Sequence, residues 1–233
     1  GIFSLDFRVA KDSLIIGMGP FLMNAAACLV TLFINQQLRD YSGDLGIGAY
    51  GICNRFILMF IMICMGLNQG MQPIAGYNYG ARQYSRVKEV FYQTAKLATI
   101  VTTICFAIGM FIPKLAAGIF THDEALLEMS AEGMRILVIA FPIVGYQMIG
   151  TNFFQSLGMV KKSVILSLSR QILFLLPLLY ALPLWHGANG VWISFPVSDV
   201  LAALITAILL RRLFSKFNKL KDGDEPYILG SNL

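Results

Sequence analysis

Three charged side chains, Arg55, Arg170 and Asp199, stand inside long uncharged stretches of this sequence. Placing an ion in hydrocarbon costs at least ~2.5–3.5 kcal/mol on insertion scales, so such residues face a bundle interior or a wet cavity. Arg55 lies about nine residues below one end of its stretch and Asp199 about eight below the same side of its own, so at about 1.5 Å per residue both sit roughly 12–14 Å deep. Equal depth predicts an Arg55–Asp199 ion pair, either a structural tie between helices or one that also lines a substrate or ion path. Asn24 falls at much the same level. Arg170 enters from the opposite side and reads as a structural cation whose long stem snorkels toward water. Tyr146, Gln147, Asn152 and Gln155 form a second polar set, either interhelical hydrogen-bond glue or ligands. The candidate path residues are therefore Asn24, Arg55, Gln147, Asn152 and Asp199.

Other chemistries find little in the sequence. Cys28, Cys53, Cys64 and Cys105 fall within apolar stretches without CxxC spacing, which fits buried thiols rather than a metal or disulfide site. His122 and His186 lie in separate loops, and neither a nucleophile motif nor a phosphate-cradling glycine loop occurs. The expectation is a non-enzyme with no catalytic residue, no metal and no cofactor.

The elements that must position these residues follow from composition. Of 233 residues, 57% are hydrophobic and 13% charged, against roughly 25% charged in soluble domains; mean hydropathy is +0.68. Crossing a hydrocarbon core of about 30 Å takes about 20 apolar residues. Six stretches qualify: 13–35, 46–69, 91–112, 133–155, 163–183 and 191–210. They are continuously apolar rather than alternating, which predicts helices and not a barrel. The fold class expected is an all-α integral membrane protein, with residues 1–12 a cytoplasmic linker, 13–210 a six-helix lobe and 211–233 a cytoplasmic tail. Loops are expected at 39–48, at 77–88, at 113–132 with a short helix inside, and at two tight links, 158–162 on the cytoplasmic side and 185–190 on the external side. Trp185 and Trp192 suit the membrane interface.

Lys and Arg set the orientation. Arg8, Lys11, Arg82, Arg86, Lys88, Lys161, Lys162, Arg211, Arg212, Lys216, Lys219 and Lys221 fall on one side; Arg39, Lys114 and Arg135 fall on the other. The first side is cytoplasmic by the positive-inside rule, with both termini of the chain there. Acidic residues gather on the other side. The net charge of +5 therefore reports topology, and the basic residues, split among short flanks, form no nucleic-acid patch. In the tail, Leu213, Phe214, Phe217 and Leu220 make an apolar stripe opposite lysines, either an amphipathic helix on an anionic leaflet or a solvated helix extension. Residues 222–233 read as disordered, and no cleavable leader pattern is visible.

The run from Gly66 to Gly80 (GLNQGMQPIAGYNYG) leaves the second stretch through amides, Pro73 and glycines into the basic loop. It reads as a helix-breaking structural motif built on Gly66, Gln69, Gly70, Gln72, Pro73, Gly76, Tyr77 and Gly80. The Gly66/Gly70 and Gly76/Gly80 spacings also predict close helix–helix contact.

Taken with Ala49-Tyr-Gly-Ile-Cys-Asn-Arg55, Phe153-Phe-Gln-Ser-Leu-Gly158, Arg170, Gly190-Val-Trp192 and Pro196-Val-Ser-Asp199, that run resembles the C-terminal half of the multidrug and toxic compound extrusion (MATE) transporters over nearly the whole chain. The resemblance implies one six-helix lobe of a twelve-helix transporter in the bacterial inner membrane. It implies an antiporter that exports organic cations, drugs or metabolites in exchange for sodium ions or protons by rocking of two lobes. The partners implied are membrane lipid, an N-terminal six-helix lobe and small organic cations, with no nucleic acid. One departure stands out. The sodium-coupled branch carries carboxylates in the first and fourth spans of this lobe, whereas 13–35 has none and the fourth span has only Glu132 at its mouth. Either the coupling acid lies in the other lobe or Asp199 takes part. Two alternative readings are a lipid-linked sugar flippase of the same superfamily, expected to be richer in basic cavity residues, and a homo-oligomeric scaffold or channel subunit.

Overall fold

The computed structural model describes residues 7–224, with side chains from residue 21 onward except that of Met23. Its helices are α1 (Phe7–Gly80), α2 (Tyr84–Phe111), α3 (Pro113–Gly118), α4 (Glu124–Leu137), α5 (Phe141–Ser156), α6 (Val160–Leu168), α7 (Leu176–His186) and α8 (Ala188–Phe217). A 3₁₀ turn, Val138–Ala140, joins α4 to α5, and a π-helical segment, Ser169–Leu175, joins α6 to α7. By length and apolarity five stretches of helix could cross a membrane. The first is two crossings in one, because α1 breaks at Gly43 with φ 64° and ψ −160°. Only glycine takes that conformation without strain. The expected loop at 39–48 is thus one residue, and Gly187 (φ 57°) makes the matching sharp turn between α7 and α8.

Six crossings result, as the sequence predicts, and they alternate between two ends of the bundle. One end carries Gly43, α3 and Gly187; the other carries the turns at 81–83 and 157–159 and the segment after α8. The fourth crossing is longer than predicted. It starts at Glu124 because Asp123 caps it, its carboxylate accepting the Leu126 amide at 2.9 Å.

Two apolar clusters fill the interior. Toward Gly43, Ile34, Leu38, Phe56, Leu137, Phe141 and Trp192 pack together. Toward Gly80 the core is aromatic: Phe91 lies 4.8 Å from Phe153 and 5.0 Å from Phe214 between ring centroids, and Phe217 stacks obliquely on Tyr84 at 5.4 Å. Glycines admit close neighbours at Gly133, whose missing Cβ would stand 2.7 Å from the Trp192 ring, and at Gly145, 2.7 Å from the Ala98 carbonyl.

Several expectations are corrected here. The run ending at Gly80 does not break the helix, since α1 continues through Pro73 to Gly80. A proline tolerates this where its neighbours re-satisfy the freed carbonyl. Gly76 touches the Ser156 carbonyl, whereas a Cβ at Gly66, Gly70 or Gly80 would meet nothing within 4 Å among the described residues. The small-residue spacing therefore makes one contact within this chain. Gln69, Pro73 and Tyr77 are exposed, Gln72 is half-buried, and the buried Asn78 donates to the Ile74 carbonyl at 2.8 Å. Trp185 is exposed, but Trp192 is buried over Gly133 and not at an interface. The stripe Leu213, Phe214, Phe217 and Leu220 is buried in the aromatic core, because α8 runs on unbroken to Phe217 and turns that face inward. Residues 222–224 bond to the start of α2, while 225–233 lie outside the described residues.

Candidate functional site

A cavity of about 150 Å³ lies where four crossings meet. The second arm of α1 supplies Tyr50, Asn54, Ile57 and Ile61, and the α4–α5 rod supplies Leu137, Phe141, Val144 and Met148. Both sets run i, i+4, i+7, i+11, the stripe one helix face presents. Phe195 and Asp199, one turn apart on α8, and Arg170 from the π-helical segment complete the wall. Tyr50 stacks on Phe195 at 5.6 Å and leans on Trp192 at 6.3 Å, which fixes the aromatic side of the cavity.

Arg170 Nε lies 3.3 Å from Asp199 Oδ1. The carboxylate is nearly enclosed, its side chain 10% exposed, while the arginine side chain is 35% exposed. Local backbone explains this reach. At Leu176 the N–H bonds the Gln171 carbonyl, five residues back. Pro177, which has no N–H to give, follows directly. Widening the turn to π geometry rotates the residues it holds, and such bulges concentrate where a side chain must be aimed. On α8, Pro196 leaves the Trp192 carbonyl without its helical partner one turn before Asp199.

The residues marked from sequence divide accordingly. Asp199 lines the cavity. Its ion partner is Arg170, and the expected Arg55–Asp199 pair is corrected: Asn54, and not Arg55, is the residue of this turn that lines the cavity. Neighbours on a helix point about 100° apart, so equal depth did not mean a shared face. Gln147 is 3% exposed, its Oε1 without a partner among the described residues. Asn152, half-buried, donates to the Met148 carbonyl of its own helix at 3.0 Å. Asn24 is exposed on the first arm of α1. None of these three lines the cavity. Tyr50 and Asn54 were missed, although their i, i+4, i+7 spacing with Ile57 would have revealed a wall.

The sequence model of the family described as MatE matches residues 18–181. The chain is similar to the multidrug export protein MepA of Staphylococcus aureus (strain NCTC 8325 / PS 47), 27% identical over 216 residues, covering 90% of this chain and 47% of that protein. MepA of Staphylococcus saprophyticus is 23% identical over 207 residues, covering 87% and 45%. Among solved structures, the MATE multidrug transporter DinF-BH superposes with a TM-score of 0.77 and 38% identity, over 89% of this chain and 47% of that one. An inward-facing multidrug resistance MATE family transporter of the MOP superfamily gives a TM-score of 0.85 at 21% identity, over 94% and 51%, a likeness of fold alone. The chain spans about half the length of the curated relatives it matches.

Proposed function

The chain belongs to the MatE family, and from that premise we propose that it is the C-terminal lobe of a secondary active multidrug exporter in a bacterial plasma membrane. The observation that carries the reading is the cavity at Arg170 and Asp199, a polar floor under aromatic and aliphatic walls at mid-bundle. At about 150 Å³ it falls below the ~300–1,000 Å³ that encloses a drug-sized molecule. It therefore serves as part of a larger site, completed by a second six-helix lobe. Two such lobes, each with an even number of crossings, are parallel repeats, and rocking of one on the other exposes the shared site to alternate sides.

The relatives' names speak for drug export, and organic cations are the substrates the family resemblance implies. A sodium or proton gradient drives the exchange. We assign the coupling acid to the other lobe, because Asp199 already has Arg170 against it. The end of the bundle at Gly80 faces the cytoplasm, in keeping with its lysines and arginines. A flippase for a lipid-linked diphosphate needs several cations around its multiply charged group; this cavity wall has one arginine, already paired.

The test is efflux of a fluorescent organic cation from vesicles holding the full-length protein, under imposed sodium or proton gradients. Gradient-dependent flux is expected. Its absence with every gradient and dye would overturn the exporter reading.

A further inference from the structure

We propose that a trough on the outside of the bundle, between α2, α5 and α8, binds one anionic phospholipid of the cytoplasmic leaflet, with its phosphate at Arg211 and an acyl chain over Ala207 and Ala203. The proposal rests on the exporter reading for the orientation of the lobe, and its ligand lies away from the transport cavity.

The trough is continuous because its stretches share residues. An apolar stretch runs over Val200, Ala203 and Leu204 to Tyr146 and Ala207. Tyr146 and Ala207 also begin a polar stretch that holds Tyr92, Arg211, Ser215 and Asn218. From Arg211 and Ser215 the trough passes on to Arg212 and Lys216. One end is thus apolar and the other basic, and among the described residues no Asp or Glu lines any of it. The separation of the two ends suits a lipid. Val200 and Arg211 stand about 16 Å apart along α8 at about 1.5 Å per residue. One leaflet contributes ~15 Å of a hydrocarbon core of about 30 Å. A chain lying on the apolar stretch therefore brings its phosphate to the level of Arg211.

The headgroup end is held in place by the aromatic core. Tyr92 stacks on Phe214 at 5.4 Å, and Tyr146 meets Phe91 edge-on at 5.8 Å. Tyrosines in this position suit the membrane–water interface. Asn218 accepts the Lys88 ammonium at 2.9 Å, which adds a further cation there. Arg211 is exposed and has no ion partner among the described residues, so its planar fork of donors is available to a phosphate. The trough also faces away from the cavity. On α5 the cavity wall takes Phe141, Val144 and Met148, whereas the trough takes Pro142, Ile143 and Tyr146. At about 100° per residue the two sets lie on roughly opposite faces. A second lobe that completes the cavity lies across α5 from the trough, which leaves the trough to lipid.

Native mass spectrometry of the full-length protein in detergent, titrated with phosphatidylglycerol or phosphatidylcholine, tests the proposal. Wild type should take up its first phosphatidylglycerol at least about fivefold more tightly than phosphatidylcholine. Arg211→Gln should weaken that binding at least about fivefold, and Arg211→Lys should recover part of it. Ala207→Phe, which fills the trough and leaves every charge in place, should weaken it by a similar factor. Lys161→Gln removes one charge at the same end of the bundle but outside the trough, and should leave binding unchanged. Equal losses in Lys161→Gln and Arg211→Gln would reduce the effect to diffuse attraction and overturn the site. Unchanged binding in Ala207→Phe would overturn the trough as its place. Displacement of the lipid by an equal concentration of glycerol 3-phosphate would assign the site to a soluble phosphate and overturn the lipid. Gradient-driven dye efflux by the same preparations keeps the two readings apart. Export without a preferred phosphatidylglycerol overturns this site alone, and the expected binding without export supports the site while overturning the exporter reading.

Discussion

The two halves of this bundle solve opposite problems with the same helices. Toward Gly80, Phe91, Phe153, Phe214 and Phe217 interlock with ring centroids 4.8–6.2 Å apart in an aromatic plug. Toward Gly43, the walls stand apart around a cavity that holds an ion pair. The contrast teaches that the buried ion pair sits where the packing of the walls is interrupted.

Breaking the plug should cost most. Phe91 is fully buried, and Phe91→Ala is expected to lower stability in detergent by about 3–5 kcal/mol, read by thermal unfolding with a thiol-reactive dye at the buried cysteines. Next comes the cavity half. Asp199→Ala leaves Arg170 without its partner, and about 2–3 kcal/mol is expected, less than the ~3–5 of a fully enclosed pair because Arg170 is a third exposed. A loss as large as that of Phe91→Ala would erase the distinction between the halves. Gly133→Ala drives a methyl into the Trp192 ring, and ~1–3 kcal/mol is expected from overpacking; the same assay applies, and Trp192→Phe should relieve it.

The smallest effect belongs to the membrane end. Ser85 donates to Asp222 through its amide, at 3.0 Å, and through its hydroxyl, while the Gly223 amide donates to the Arg82 carbonyl. These bonds hold the Asp222 carboxyl below its ordinary value. A lowered carboxyl contributes fully above its unfolded pKa of about 3.9 and loses that contribution as pH falls through the lower folded value. Hydrogen exchange at the Ser85 amide should therefore be unchanged between pH 5 and 8 once corrected for intrinsic rate, and faster in Asp222→Asn. An amide that deprotects near neutral pH would contradict the bond.

Much of this was legible in the residues. Continuous apolar runs fix six crossings, because lipid leaves the backbone few other solutions. What sequence could not supply was rotation. Depth counting joined Asp199 to Arg55, but one residue along α1 turns a side chain by about 100°, so Asn54 lines the cavity wall and Arg55 does not. The π-helical turn, which has no sequence signature beyond the nearby Pro177, brings Arg170 into the place Arg55 was expected to fill. The tail stripe was misassigned for a related reason. A helix face apolar enough for a leaflet is equally suited to a protein core, and Phe214 and Phe217 found one. The Gly66–Gly80 run identified the family well yet lies outside the cavity wall.

The central claim is that Asp199 is tied to Arg170 and not to Arg55. Double-mutant cycles of unfolding stability, in the full-length protein, test it with Arg170→Gln/Asp199→Asn beside Arg55→Gln/Asp199→Asn. The structure predicts a coupling of about 1 kcal/mol or more for the first pair and additivity within ~0.5 kcal/mol for the second. Coupling to Arg55 with additivity at Arg170 would contradict it.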